Sequence, residues 1–230
     1  SNVAVYAVKG NFDDAQTGVK RVFGDKQIAQ KLEAENIRLS SANSINWGRL
    51  VPQIVYYFAS YFQLVNTGKI TMGERVDYCV PTGNFGDILA GYYAKRMGLP
   101  VGTLVCASNR NNVLTDFIST GTYDARREFH RTTSPSMDIL VSSNLERLLF
   151  HAAGSDKAVA GYMNELNQNG VYTVSPEVLA VIRENFACGC ASDEEVAAEI
   201  KARYEQDHYL CDTHTAVAFK VAENYRARTG

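Results

Sequence analysis

Pro81-Thr-Gly-Asn-Phe-Gly-Asp-Ile-Leu-Ala-Gly-Tyr-Tyr-Ala-Lys-Arg-Met-Gly98 follows the apolar run Val76, Tyr78, Val80, and together they read as a strand, a glycine loop and the start of a helix. Such a turn is an anion cradle. The first-turn N–H groups of the helix lack intrahelical partners, and its positive dipole end faces whatever lies in the loop. Gly83 and Gly86 let the backbone come close to that ligand, and a phosphate is the natural occupant. Glycines at a strand-to-helix turn also serve packing alone, so the loop by itself leaves both readings open.

Upstream, Ser40-Ser-Ala-Asn-Ser-Ile-Asn-Trp-Gly-Arg-Leu50 sets short polar side chains before an apolar helix expected over about 46–65. In that helix Leu50, Ile54, Tyr57, Phe58, Tyr61 and Leu64 recur at three and four, which makes the aromatic stripe a buried face. Asn43 and Ser44 offer hydrogen bonds where a helix N-terminus favours negative charge, and Arg49 adds a guanidinium fork. This is a second candidate anion site. The alternative is that Ser44 or Asn46 merely caps the helix and Arg49 is a solvated surface charge.

The remaining chain alternates strand and helix. Residues 3–8 are β-prone; Asp13 and Asp14 open a helix carrying Ala15, Val19, Val22 and Phe23, which Gly24 stops. A small helix over 26–34 precedes the brief extended piece Ile37-Arg38-Leu39. After the glycine loop, residues 101–107 form the next strand and 112–119 a short helix, while the polar stretch 120–136 has neither period and is expected as a mobile loop. Ser143-Asn-Leu-Glu146 and Ser192-Asp-Glu-Glu195 read as capping boxes, and Ser175-Pro176 as a cap followed by proline at the first helical position. The last third is mostly helical, ending with a helix over about 213–226. The pattern predicts an α/β protein with a mostly parallel sheet flanked by helices.

A chain of 230 residues, 46% of them hydrophobic, can bury a core for one or two domains. A net charge of −2 gives no reason to invoke nucleic acid or a membrane surface. No stretch approaches the roughly 18 to 20 apolar residues of a spanning helix, and no signal pattern opens the chain, so a cytoplasmic protein is expected. Cysteines at 79, 106, 188, 190 and 211 do not form a disulfide framework. Cys188 and Cys190 with His208, Cys211 and His214 lack the usual C-x-x-C zinc spacing, so no metal site is expected. The G-x-G-x-x-G spacing of a dinucleotide-binding fold is absent too.

The two candidate anion segments together resemble threonine synthase, a pyridoxal-phosphate enzyme of the tryptophan synthase β-like fold, fold type II. The matching pieces are Ser41-Ala-Asn-Ser-Ile-Asn-Trp-Gly-Arg49, Val80-Pro-Thr-Gly-Asn-Phe-Gly-Asp-Ile-Leu-Ala-Gly91, Ser134-Pro-Ser-Met-Asp-Ile-Leu-Val-Ser-Ser-Asn-Leu-Glu-Arg-Leu148 and Asp212-Thr-His-Thr-Ala-Val-Ala218. The resemblance implies conversion of O-phosphohomoserine and water to threonine and phosphate, with pyridoxal 5'-phosphate as electron sink. It implies that Gly83, Asn84, Phe85 and Gly86 hold the cofactor phosphate and that Asn43, Ser44 and Arg49 hold the substrate phosphate. Residues 1–40 would then be a piece of the smaller, mobile α/β domain and 41–230 most of the larger one.

Departures from the family pattern are equally informative. The Phe-Lys-Asp motif of the Schiff-base lysine and the Ser-Gly-Asp/Asn-Thr-Gly substrate loop do not occur in this chain, so it carries no candidate catalytic lysine. Ser1-Asn2 reads as a truncated boundary or cloning scar. An incomplete fold of this type is expected to expose strand edges and to self-associate. A non-catalytic phosphate-binding or regulatory module is the alternative reading. Without its anchor lysine, the chain is expected to release no phosphate from O-phosphohomoserine when supplied with pyridoxal phosphate; turnover near that of a full-length enzyme would refute this.

Overall fold

The computed structural model describes residues 3–10 and 12–230, so the supposed boundary residues Ser1 and Asn2 lie outside it. The chain divides into two units, Ser1–Ala42 and Asn43–Gly230.

Among its described residues the first unit holds two helices, α1 (Phe12–Gly24) and α2 (Lys26–Ala34). Asp25 caps α2, its carboxylate accepting from Gln27 N at 2.8 Å and Ile28 N at 3.1 Å. Residues 3–8 and 37–39 form no strand, contrary to their β-prone composition. Val3, Val5, Tyr6 and Val8 are exposed. Extended preference becomes a strand only where a neighbouring strand takes up the backbone groups, and among the described residues this unit contains none.

The second unit is built on three parallel strands, β1 (Val76–Pro81), β2 (Val101–Ser108) and β5 (Phe186–Cys190), in the order β1-β2-β5. Pro81 lies level with Ala107 and Ala107 with Gly189, so the three carboxyl ends open at one edge of the sheet. Successive β2 residues face opposite ways: Leu104 and Cys106 join one core, Val105 and Ala107 the other. A short antiparallel pair, β3 (Thr122–Asp124) and β4 (Val171–Thr173), lies apart from this sheet, with the Tyr123 and Tyr172 rings stacked 5.3 Å apart.

Helices cover both faces, as a parallel sheet requires. The first core takes residues of α4 (Ile54–Asn66), α5 (Gly86–Arg96), α6 (Val113–Thr120), α7 (Leu145–Ala153), α8 (Asp156–Asn169) and α9 (Pro176–Asn185). The second takes residues of α10 (Asp193–Asp207) and α11 (Thr213–Thr229). Ser175 and Ser192 cap α9 and α10 as expected, the latter as a full capping box.

Three expectations need correction. The helix predicted over about 46–65 is broken: α3 (Trp47–Leu50) passes through a 3-10 turn at Val51–Gln53 into α4. Pro52 has no N–H to give and its ring crowds the preceding turn. Ser143 does not cap α7; Asn144 occupies that position at φ 74°, because the Ser143 hydroxyl donates instead to Asn84 Oδ1 at 2.8 Å. The stretch 120–136 contains β3 and is tethered beyond it, since Asn111 Oδ1 accepts from His130 N at 2.9 Å and Asp138 accepts from Thr132 N at 2.9 Å.

Gly91 sets how closely α5 approaches its neighbours. A Cβ there would lie 2.6 Å from Tyr57 Cε1 and 2.9 Å from Leu104 Cδ2. Gly91→Ala is therefore expected to destabilise the chain by about 1–3 kcal/mol through overpacking, despite alanine's better helix propensity. Thermal or urea unfolding measures this, and an unchanged midpoint would contradict the packing described.

Candidate phosphate site

The glycine loop leaves the carboxyl end of β1 with its backbone tied on both sides. Thr82 N donates to Ala107 O at 2.8 Å, and Phe85 N donates to Ser143 O at 2.9 Å. Ser142 Oγ donates to Gly83 O at 2.7 Å, and Asn84 Oδ1 accepts from Ser143 Oγ at 2.8 Å and Ser143 N at 3.2 Å. The Phe85 ring is fully buried and lies 5.5 Å from that of Phe186. Phe85 occupies the N-cap position of α5 and supplies no side-chain cap. The first turn of an eleven-residue helix thus opens, uncapped, at the carboxyl end of a parallel strand, with Gly86 and Ile88 buried.

The two glycines also serve the chain's own packing. A Cβ at Gly83 would lie 2.9 Å from Met137 Cα and 3.0 Å from Ser136 O, and one at Gly86 would lie 2.8 Å from Ser44 Cβ. The space freed by the missing side chains is occupied by this chain's own segments. Glycine at 86 therefore brings the second candidate segment against the first.

Within that second segment the predicted residues separate. Ser44 Oγ, beside Gly86, accepts from Asn144 Nδ2 at 3.0 Å. Asn43 Oδ1 accepts from Ile45 N at 3.0 Å, and Asn46 caps α3 by accepting from Gly48 N at 3.0 Å. Arg49 is exposed in α3, its carbonyl accepting from Gln53 Nε2 at 3.1 Å. Arg147 Nη1 donates to Ser44 O at 3.1 Å and Nη2 to Ile45 O at 2.7 Å, while the guanidinium lies 5.7 Å from the Trp47 ring centre.

A buried polar cluster lies just beyond the end of β2. Asn109 and Asn111, just past β2, donate to Asp138 Oδ1 at 2.8 and 3.0 Å, and Thr132 Oγ1 donates to the same oxygen at 2.7 Å. All three of Asn109, Asn111 and Asp138 are buried, and the carboxylate is fully engaged. Asp212 caps α11, and the Thr215 hydroxyl, with further donors behind it, holds its carboxyl down at about 2. His214, in the first turn of α11, accepts from Ser136 N through Nε2 at 3.2 Å, linking that helix to the turn packed on Gly83. Burial pushes the Cys79 thiol up to about 12 and that of Cys106 higher still, so neither is a nucleophile near neutral pH.

Of these residues the sequence points only to Ser143, and as a helix cap; Ser142, Asn144, Arg147 and Asp138 lie within the resembling motif without an assigned role, and Asn109 and Asn111 lie outside every motif. A usable signal was present for Asn109 and Asn111: Asn-Arg-Asn comes just past the apolar run of β2, where strand ends of an α/β sheet carry polar groups.

No family model matches the sequence. Among individual proteins, the chain is 43% identical over 241 residues to the threonine synthase of Schizosaccharomyces pombe, with 96% of this chain and 45% of that protein covered. It is 45% identical over 225 residues to human threonine synthase-like 1, with 96% of this chain and 30% of that protein covered. Its fold superimposes on the pyridoxal-phosphate-bound threonine synthase of Brucella melitensis with a TM-score of 0.83 at 46% identity, over 95% of this chain and 45% of that one. The chain is a homologue of threonine synthases. Its α/β architecture is accordingly that of the threonine synthases, pyridoxal-phosphate fold type II, and it spans less than half the length of the relatives it matches. Among the described residues no helix is long and apolar enough to cross a membrane, and no cluster of three or more histidine, cysteine or acidic side chains is placed to hold a metal.

The contact between Ser44 and Gly86 yields a direct test. Gly86→Ala is expected to cost about 1–3 kcal/mol of stability, and adding Ser44→Gly should recover most of it by clearing the clash. If the double variant unfolds as early as the single one in thermal melts, the contact is not what requires glycine.

Proposed function

We propose that this chain supplies the phosphate-holding part of a threonine synthase, which converts O-phosphohomoserine and water to threonine and phosphate with pyridoxal 5'-phosphate. The observation that carries this reading is the uncapped start of α5, enclosed by the Gly83–Gly86 loop and abutted by Ser44. Backbone N–H groups aligned in a first helical turn, without a competing side-chain acceptor at the cap, fit the terminal phosphate of the cofactor. When bound, pyridoxal phosphate supplies an electron sink for the substrate's carbanionic stages.

The roles of this chain's own residues follow from chemistry and position. Of Gly83, Asn84, Phe85 and Gly86, the backbone N–H groups of Gly83, Asn84 and Gly86 face the cofactor phosphate as donors, while Phe85, whose N–H is given to Ser143 O, holds the loop in place through its buried ring; Ser142 and Ser143 fix the loop through Gly83 O and Asn84 Oδ1. Asn43, Ser44 and Arg49 serve the substrate phosphate, the hydroxyl and guanidinium as donors and the Asn43 carbonyl oxygen as the group that closes the 43–46 turn. Two oxyanion receptors in one chain match a reaction in which one phosphate anchors the cofactor and another leaves. The aromatic floor, Phe85 against Phe186 and Phe186 in turn against Tyr92, keeps the loop rigid from below.

Trp47 is the only tryptophan and lies between Asn46 and Arg49, so its fluorescence reports on the second receptor. Inorganic phosphate is expected to change that emission saturably. Arg49→Lys should weaken the effect about tenfold, with uptake of pyridoxal phosphate, followed by its absorbance, unchanged. Loss of cofactor uptake with phosphate affinity intact would mean that the two receptors are exchanged.

A further inference from the structure

Arg147 spends its donors on backbone and amide oxygens around one turn. Nη1 donates to Ser44 O at 3.1 Å and Asn144 Oδ1 at 2.7 Å, and Nη2 donates to Ile45 O at 2.7 Å. Ser44 O and Ile45 O are successive carbonyls of the turn closed by Asn46 N donating to Asn43 O at 3.0 Å. Through them the half-buried guanidinium holds residues 43–46 against α7, more than one hundred positions away in sequence.

The bond to Asn144 does something further. With its Oδ1 accepting from Arg147, the Asn144 amide is turned so that Nδ2 faces Ser44 Oγ at 3.0 Å. A hydroxyl has one proton and two lone pairs. Ser44 accepts from Asn144 through a lone pair, which leaves its proton for an acceptor on the ligand side. Asn144 itself is held at φ 74°, a conformation that asparagine tolerates better than other side-chain-bearing residues.

We propose that Arg147 is a positioning residue for the phosphate receptor, acting through Asn144 to present the Ser44 hydroxyl as a donor and through two carbonyls to hold the turn that carries it. The inference rests on the reading of Ser44 as a phosphate ligand. Lysine cannot replace arginine here. A single ammonium on a flexible stem cannot span two carbonyls and an amide oxygen in one plane.

The test uses the full chain, with inorganic phosphate as probe and Trp47 fluorescence as readout. Arg147→Lys should weaken phosphate binding about tenfold and leave pyridoxal phosphate uptake unchanged. In a Ser44→Ala background, the same substitution should have no further effect on phosphate. A merely structural role would keep its effect there and would lower cofactor uptake as well, which overturns the proposal. Asn144→Asp keeps the backbone tolerance but replaces the donor by a carboxylate that captures the Ser44 proton. It should weaken phosphate at least as much as Arg147→Lys, and it decides the question if the lysine variant does not fold; an unchanged affinity overturns the proposal. Should Ser44→Ala alone leave phosphate binding intact, the receptor assignment itself fails. Should it weaken binding while Arg147→Lys does not, only the role of Arg147 is refuted.

Discussion

The close approach of Ser44 to Gly86 is the constraint on which the site depends. A helix that begins at a strand end offers donors, but here those donors acquire a wall only because residue 86 carries no side chain and residue 44 fills the gap. That contact joins segments forty-two positions apart in sequence and sets the two candidate receptors side by side. The same principle operates at Gly83, where the backbone of Ser136 and Met137 takes the place a side chain would need. The glycines of this loop serve the chain's own packing as well as any ligand's approach.

What makes such close packing tolerable is that the polar groups brought in with it are satisfied. Asp138 is buried beside the loop, and it accepts from two asparagine amides, a threonine hydroxyl and a backbone N–H. An unsatisfied carboxylate in that position would cost several kcal/mol, whereas a saturated one rigidifies what surrounds it. The network fastens residues 130–138 to the end of β2, and His214 adds a tie from α11 to Ser136. The ends of β1 and β2, the glycine loop, residues 130–138 and the start of α11 are thereby tied to one another.

Much of the second unit's architecture could be read in one dimension. The apolar positions of 76–80 and the run 101–107 identified strands, helical spacing identified α4, and Ser175, Ser192 and Asp212 mark helix starts by the same hydrogen bonds that they form in the fold. Local chemistry is legible when the partner lies within four residues. It misled where a distant partner competed: Ser143 faces Asn84 and not its own helix, and residues 3–8 have β character but no strand beside them. Strand β5 escaped notice because Phe-Ala-Cys-Gly-Cys has little β preference of its own, and pairing with β2 decides its conformation.

The amino-acid sequence alone determined that there is a strand, a glycine loop and a helix at 76–96, that a polar segment precedes an aromatic helix, and that these motifs resemble those of one enzyme family. Those are properties of neighbouring residues and of short spacings. Tertiary structure alone decided that Ser44 sits on Gly86, that Asn144 and Arg147 reach that turn from another helix, and that Asn109 and Asn111 meet Asp138 in one buried cluster. Each of these contacts joins residues far apart along the chain, and the register of β1, β2 and β5 levels the strand ends around which they gather.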